Sequence, residues 1–308
     1  MDEQPTLFPL EDVDVSADAG DAADLQTALG LLALMDLPRV GSGRAIRFAQ
    51  QFGSAEAFNT AAPEQRQRAG GVAVEDPVQV LDRDVPDGAR LVGYFDDDYP
   101  TSLRGIANPP AVLWIQGALP DPARRIAIVG TRSATRWGAS MAASIAEAAA
   151  AAGVSVVSGL ALGIDIAAHR AALAAGGHTV AVLGSGIDTP TPREHQADAH
   201  AIVEAGSCLI SEVGPGTRPS ARTLVARNRI QSGLSYATVV VQCGLKSGTM
   251  TTAKFTREQE RELVLPVPPE EEQRHPENAG SAALARLSPP PRLLQVRGDL
   301  ADLLTEIR

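Results

Sequence analysis

The sequence predicts an α/β protein with a Rossmann-like, mostly parallel sheet covered by helices, together with a small helical N-terminal domain. Short, continuous apolar runs recur from residue 126 to residue 266, and helical segments separate them. Strands of this kind are buried on both faces, which is typical of a parallel sheet between two layers of helices. Near the N-terminus, Leu25, Ala28 and Leu32 recur at helical spacing, which predicts the helical domain.

Each element of the sheet domain is predicted from an apolar run or from an Ala-rich or amphipathic stretch. Gly or a polar residue follows most of the runs and ends the strand. An earlier apolar run, Ala111 to Ile115, is expected to cap or join this domain. The predicted strands are 126–129, 154–157, 179–183, 208–211, 238–241 and 263–266, and the predicted helices are 138–152, 164–175, 197–205, 223–234 and 249–260.

The length of 308 residues suits about two domains. The first 30 residues contain eight acids and neither Lys nor Arg, so the chain is expected to begin with a disordered, acidic tail. The predicted segments are a tail at 1–20, a helix-hairpin-helix-like domain at 21–70, a linker with a short extended segment at 71–119, a Rossmann-like ligand-binding domain at 120–285 and a C-terminal tail at 286–308 that packs back on the sheet.

Composition excludes several classes of protein. No apolar run reaches the length of a membrane span, and the acidic start is not a secretory signal, so we expect a cytoplasmic protein. Cys208 and Cys243 fit neither a disulfide framework nor a zinc-ligand spacing, and we expect no metal and no cofactor. The net charge of -10 does not exclude a nucleic-acid partner, because residues 121–265 carry 14 basic against 11 acidic residues, a local net charge of +3.

Within the predicted helical domain, the segment Gly41-Ser42-Gly43 separates two short helical patterns. Such a hairpin can offer backbone N–H groups to a nucleic-acid phosphate. The alternative is a tight connection between two helices, in which the glycines serve backbone geometry alone. We favour the structural role, because the motif is short.

Five polar, Gly-rich segments are expected at one edge of the sheet, where ligands bind in open α/β folds. Small hydroxyl residues and cations at the start of helices suit an anionic ligand, although each segment alone is an ordinary helix cap. The candidate ligand-binding residues are Gly130, Thr131, Arg132, Ser158, Gly159, Gly184, Ser185, Gly186, Arg227, Asn228, Arg229, Lys246, Ser247, Gly248, Thr249 and Thr252.

Asp165 and His169 lie four residues apart on one face of a predicted helix. This spacing suits acid–base chemistry or half of a metal site, but we favour a supporting role, in which both side chains hold the preceding loop. His195 and His200 are expected at the surface.

In order along the chain, these segments resemble the DNA-processing protein A family, also called DprA or Smf. The resemblance covers about residues 90–285, and the helical N-terminus fits the leading domain of that family. The matching stretches are Ile128-Val129-Gly130-Thr131-Arg132, Ser158 to Asp165 with Ala168-His169, Ala181 to Asp188, Ser211-Glu212, Arg227-Asn228-Arg229-Ile230 with Gly233-Leu234-Ser235, and Ser247-Gly248-Thr249 with Thr252-Ala253.

The resemblance implies a protein without catalytic activity that binds single-stranded DNA, protects incoming or processed strands and loads the RecA recombinase during natural transformation. It also implies a homodimer. Carried over to this sequence, the DNA-binding cations are Arg132, Arg227, Arg229 and Lys246. One departure is Gln242-Cys243, which replaces an acidic residue and Ala after the fifth strand of the series.

The alternative from the same superfamily is a nucleotide-hydrolysing enzyme similar to the Lonely Guy phosphoribohydrolases. Their signature PGGxGTxxE corresponds here to the stretch from Gly244 to Thr252. Thr252 therefore stands where the catalytic Glu is expected, and a hydroxyl cannot transfer the proton of that carboxylate at neutral pH. We therefore expect no enzymatic activity.

Overall fold

The computed structural model describes residues 24–119, 124–295 and 297–307. The predicted acidic tail at 1–20 lies outside these residues. The described part confirms the predicted fold class, a mostly parallel sheet covered by helices and preceded by a helical segment.

The helical segment contains four short helices packed around aromatic residues. Phe58 meets Phe48 and Phe52 edge to face, with ring centroids 5.2 and 5.3 Å apart. Thr27 caps the first helix, because its hydroxyl accepts a hydrogen bond from Gly30 N. The helices are α1 Ala28–Asp36, α2 Ser42–Phe52, α3 Ala55–Thr60 and α4 Pro63–Gly70.

Nine described strands form a single sheet, and the bounds of the six strands predicted between residues 126 and 266 agree with the observed bounds within one residue. The strands are β1 Ala89–Gly93, β2 Val112–Gly117, β3 Arg125–Val129, β4 Ser155–Ser158, β5 Thr179–Leu183, β6 Cys208–Ser211, β7 Ala237–Val240, β8 Glu262–Pro266 and β9 Arg292–Leu294.

The other helices lie between the strands along the chain, except the last one, which follows β9. They are α5 Thr101–Arg104, α6 Arg136–Ala151, α7 Ile164–Ala174, α8 Gln196–Glu204, α9 Ala221–Leu234, α10 Thr249–Glu258, α11 Glu270–Gln273, α12 Ala279–Leu284 and α13 Arg297–Glu306. Helices α6, α7 and α13 pack on one face of the sheet, and α9 packs on the other. Among the described helices, none has the length and apolar character needed to cross a membrane.

The strand order is β1-β2-β6-β5-β4-β3-β7-β8-β9, and among the described strands only β2 runs against the others. The sheet therefore extends beyond the predicted domain of residues 120–285 at both ends. Strands β1 and β2 come from the predicted linker, and β9 comes from the predicted C-terminal tail. The run Ala111 to Ile115, which was expected to cap or join this domain, forms most of β2 and lies inside the sheet between β1 and β6. The short edge strands β1 and β9 were not predicted, because their places in the sheet depend on pairing with strands outside the local window, whereas local patterning reports only nearby residues.

Strand β3 occupies the position in the sheet where the chain changes direction of winding. It pairs with β4 on one side and with β7 on the other, although about 110 residues separate β3 from β7. At such a point, the loops that follow two neighbouring strands run to opposite faces of the sheet. A crevice therefore opens between these loops at the carboxyl ends of the strands. The fold therefore defines one favoured place for a ligand.

Candidate nucleic-acid interface

A cleft of about 580 Å³ lies at this point, and we call it the switch-point cleft. Its walls come from the loops after β3, β4 and β7 and from one side of α9. The structure brings ten of the sixteen candidate residues together there: Gly130, Thr131, Arg132, Arg227, Asn228, Lys246, Ser247, Gly248, Thr249 and Thr252.

The loop after β3 is held in place by Gln242, the residue at the position of the sequence departure. Its backbone carbonyl accepts a hydrogen bond from Thr131 N at 2.7 Å. Its side-chain oxygen accepts from Thr135 N at 3.0 Å, and its amide nitrogen donates to Thr135 Oγ1 at 3.1 Å. The loop is thereby fixed to β7, while the Arg132 side chain stays exposed beside the cleft.

The loop after β4 is held by three buried side chains. Asp165 accepts hydrogen bonds from Gly159 N and Ala161 N, and His169 Nε2 lies 3.4 Å from Leu160 N. Leu160 has a φ of 60°, a left-handed conformation that is uncommon for a residue with a side chain. Asp165 and His169 thus support a locally strained loop next to the cleft.

His195 is the third supporting residue, and the expectation that it lies at the surface is wrong. Its side chain is buried, and Nδ1 lies 2.7 Å from the carbonyl oxygen of Leu160. The surrounding sequence is polar, so local hydropathy could not reveal this contact. His200 is exposed, as expected.

Arg227 and Asp165 form a buried pair in the floor of the cleft. Arg227 Nη2 lies 3.7 Å from Asp165 Oδ2, and Nη1 donates to the carbonyl oxygen of Val182 at 3.2 Å. Burial raises the pKa of Asp165 and Arg227 opposes this, while burial lowers the pKa of Arg227 and Asp165 opposes that. Burial also lowers the pKa of His169 to about 3, so its ring is neutral at physiological pH.

Arg229 does not have the environment expected of a phosphate contact. It lies within α9 rather than in a loop, it is buried, and it forms a bidentate pair with Glu212. Its remaining donors bond to the carbonyl oxygens of Asn108 and Ala226, both within 2.8 Å. These hydrogen bonds use four of the five N–H groups of the guanidinium, so Arg229 is placed to join α9 to the strand-end loops.

Five further candidates lie outside the switch-point cleft, and their polar groups are engaged within the protein. Ser158 Oγ donates to the carbonyl oxygen of Ile128, and Ser185 Oγ donates to that of Thr189. Gly159 packs so closely against Arg227 that an added Cβ would lie 1.3 Å from Nη1. Gly184 packs against Leu224, and Gly186 N donates to the carbonyl oxygen of Thr217. These residues shape the strand-end loops.

The loop after β7 supplies the other exposed cation. Lys246 is exposed, and no carboxylate of the described residues lies within ion-pair distance of it or of Arg132. Thr249 Oγ1 donates to the carbonyl oxygen of Gly130 at 2.9 Å and joins this loop to the one after β3. The cleft therefore presents two unpaired cations on two loops that are fixed to each other.

Sequence reasoning missed several residues of this region. Gln231 lies under the cleft, and with its amide oriented to satisfy its neighbours its oxygen accepts from Arg227 Nη1 and Gly159 N. Glu277 lines the cleft from the segment after β8. In the described ranges, no group of three His, Cys, Asp or Glu side chains is placed to hold a metal ion.

The fold and this site define a Rossmann-like protein with a cleft at the switch point of its sheet, lined by two exposed cations without an ion-pair partner among the described residues. Residues 90–287 match the model of the family described as DNA recombination-mediator protein A. The chain belongs to that family, as the order of its motifs indicates.

Among curated relatives, the putative DNA processing protein DprA of Mycobacterium tuberculosis is 42% identical over 184 residues, which cover 55% of this chain and 47% of that protein. Protein Smf of Escherichia coli is 40% identical over 180 residues, covering 58% of this chain and 48% of that protein. The chain therefore spans about half the length of these relatives.

Two solved structures share the fold. DNA processing protein A from Streptococcus pneumoniae superposes with a TM-score of 0.73 at 24% identity, covering 92% of this chain and 98% of that one. The Helicobacter pylori protein, described for its unique single-stranded DNA binding mode, has a TM-score of 0.61 at 24% identity and covers 71% of this chain and 97% of that one.

Proposed function

We propose that this protein binds single-stranded DNA in the switch-point cleft. The observation that carries the proposal is the placement of Arg132 and Lys246, two exposed and unpaired cations, on loops that face one cleft. Phosphate contacts of this kind position a nucleic-acid strand without reading its sequence. Membership of the family, and the single-stranded DNA described for the Helicobacter pylori protein, support single-stranded DNA as the anion in this proposal.

Fluorescence anisotropy with labelled oligonucleotides tests the proposal. Each phosphate contact on a single strand contributes about -0.7 to the slope of log affinity against log salt concentration. Replacing both Arg132 and Lys246 by Ala should weaken binding to all sequences and flatten the slope by about 1.4. The matched control is Arg193→Ala with Arg286→Ala, because both residues are exposed, lie outside the cleft and, like Arg132 and Lys246, have no carboxylate of the described residues within ion-pair distance.

An unchanged affinity and salt slope in the Arg132→Ala, Lys246→Ala variant would refute this site. Equal losses in the cleft variant and the control would also refute it, because they would show that general charge alone drives binding. Single- and double-stranded oligonucleotides should be compared at each salt concentration.

Within the same proposal, the protein protects single strands and transfers them to the RecA recombinase, and it acts as a homodimer in the cytoplasm. Family membership is the support for these partners. RecA filament formation on DNA covered by single-strand binding protein tests the transfer, and sedimentation at several protein concentrations tests the dimer. A protein that leaves filament formation unchanged, or that sediments as a monomer at micromolar concentration, would contradict the respective part.

We also propose that the protein is not an enzyme. Thr252 is buried against the cleft at the position where the hydrolase signature has Glu. Of the two carboxylates that line the cleft, Asp165 is committed to Arg227 and the loop after β4. Incubation with nucleoside monophosphates should release no free base, and turnover above a protein-free control would restore the enzymatic alternative.

A further inference from the structure

A second cleft, of about 730 Å³, lies where the helical segment meets the sheet domain. We call it the junction cleft. Helix α2 and the Gly41-Ser42-Gly43 turn form one wall, and α9 forms the opposite wall. Ser42 Oγ donates at 3.3 Å to Glu212, which directly follows β6, so the helical segment contacts the sheet domain directly at this cleft.

The junction cleft is more basic than the switch-point cleft. Five arginines and one carboxylate line it, whereas three cations and two carboxylates line the switch-point cleft. Buried Arg227 and Arg229 are neutralised by Asp165 and Glu212. The other arginines are the ones available to a ligand.

These available arginines are Arg44, Arg47 and Arg222. Within the described residues, Arg44 and Arg47 donate only to backbone carbonyl oxygens, those of Arg39 and Gly70. Arg222 is exposed, and no carboxylate of the described residues lies within ion-pair distance of any of the three. Three uncompensated positive charges in one concave surface attract a polyanion. Their concentration is notable in a chain of net charge -10.

An aromatic ring in the same wall selects among polyanions. Phe255, on α10, is half-buried and lines the junction cleft beside α9. Single-stranded nucleic acids bind where a basic groove follows the backbone and aromatic rings stack on bases, because every base has a π face. An inorganic phosphate has no base that could stack on the ring, and an acidic peptide has none either.

The two clefts lie on either side of the N-terminal half of α9. Leu224 and Val225 line the switch-point cleft, Arg222 and Ala226 line the junction cleft, and Arg227 borders both. A strand that passes over this half-helix can therefore occupy both clefts without leaving the protein surface.

We propose that the junction cleft is a second binding site for single-stranded DNA, which holds the nucleotides that continue from the switch-point cleft. Arg44, Arg47 and Arg222 contact phosphates there, and Phe255 stacks on a base. This inference rests on the proposed function. It extends that function by assigning the helical segment a direct part in binding the strand.

Oligonucleotides of two lengths test the inference, since only a longer strand can fill both clefts. Oligonucleotides of about 5 and about 16 nucleotides span the range of known single-strand site sizes. In wild-type protein the longer strand should bind more tightly and show the steeper salt slope. Replacing Arg44, Arg47 and Arg222 by Ala should leave the short strand unaffected and should flatten the slope for the long strand by about 2.

Two further variants separate a loss of binding from a loss of folding. Arg222→Glu reverses one exposed charge without breaking a hydrogen bond, and Phe255→Leu removes the ring while keeping an apolar side chain. Each should weaken binding of the long strand, by about tenfold for the loss of stacking, with the thermal melting curve retained. The matched control removes three exposed arginines elsewhere, Arg68, Arg193 and Arg286.

Long-strand binding equal to that of the control in both the triple variant and Arg222→Glu would overturn the inference. A loss of equal size for both strand lengths would also overturn it. The Arg132→Ala, Lys246→Ala variant separates a failure of the proposed function from a failure of this inference. If that variant binds DNA normally while the junction variants bind it more weakly, the switch-point cleft is not the DNA site and the junction cleft is. Absence of binding to either strand by wild-type protein would refute both proposals.

Discussion

Replacing Arg229 by Ala should destabilise the protein without changing the salt dependence of DNA binding. The side chain makes two hydrogen bonds to Glu212 and one each to the carbonyl oxygens of Asn108 and Ala226, and it is 7% exposed. Removal of one partner from a buried pair costs about 3–5 kcal/mol, because the other charge stays buried without compensation, and the 17% exposure of the Glu212 side chain places this pair at the lower end of that range. We expect the free energy of unfolding to fall by that amount.

The assay is urea unfolding followed by tryptophan fluorescence, which reports the sheet core because Trp114 is 3% exposed within β2. The double replacement Arg229→Met, Glu212→Leu should recover most of the loss, since removing both charges leaves neither one buried alone. Lys246→Ala should behave in the opposite way. It should change the free energy of unfolding by less than about 0.5 kcal/mol and flatten the salt slope by about 0.7.

A stable Arg229→Ala variant with a flattened salt slope would refute this reasoning. That result would mean that Arg229 leaves Glu212 and contacts a phosphate when DNA is bound. The two measurements together therefore decide between a buried positioning residue and a DNA contact, which the Arg-Asn-Arg sequence alone cannot do.

Three other perturbations have defined outcomes. His169 should make the protein less stable at pH 5 than at pH 7 by about 2 kcal/mol, because the unfolded chain takes up a proton below its pKa of about 6.5 and the folded ring, with a pKa of about 3, does not. In urea titrations, His169→Gln should therefore lose about 2 kcal/mol less free energy of unfolding between pH 7 and pH 5 than wild-type protein does. An equal loss in both proteins would contradict this. Gly159→Ala should lower the melting temperature strongly, since its Cβ would displace the buried guanidinium of Arg227, whereas Gly41→Ala, with open space around it, should not. Deleting residues 1–20 removes six acids and should tighten DNA binding at low salt only, so a salt-independent effect in anisotropy titrations would argue against a charge effect.

The central strands could be predicted because burial on both faces leaves an unbroken apolar run. Thr179–Leu183 and Cys208–Ser211 have the bounds that the sequence predicts, and all residues of both strands are buried. The edge strands carry weaker signals. Arg292–Leu294 is only three residues long and contains a half-exposed Arg, so its place in the sheet depends on a long-range pairing with β8.

The position of the site could be predicted because it follows from the order of the strands. The roles of the individual site residues could not be predicted in this way. Parallel strands bring their carboxyl ends to one edge, so Arg132 and Lys246 line the same cleft although more than a hundred residues separate them in the chain. Whether a cation is free depends on the carboxylate beside it. Asp165 lies 62 positions before Arg227 in the chain, and no local pattern connects the two.

The distribution of paired and unpaired arginines explains how an acidic protein can carry the two basic clefts that we propose as the DNA-binding surface. A buried cation must be paired because an isolated charge is costly to remove from water, and a paired cation contributes little field outside the protein. Arg227 and Arg229 meet this requirement and hold α9 against the strand-end loops. The positive electrostatic potential at this surface therefore comes from the exposed cations on either side of α9, in the switch-point cleft and in the junction cleft. The net charge of the whole chain then says little about the partner, because the strand responds to these local charges within a Debye length of about 10 Å.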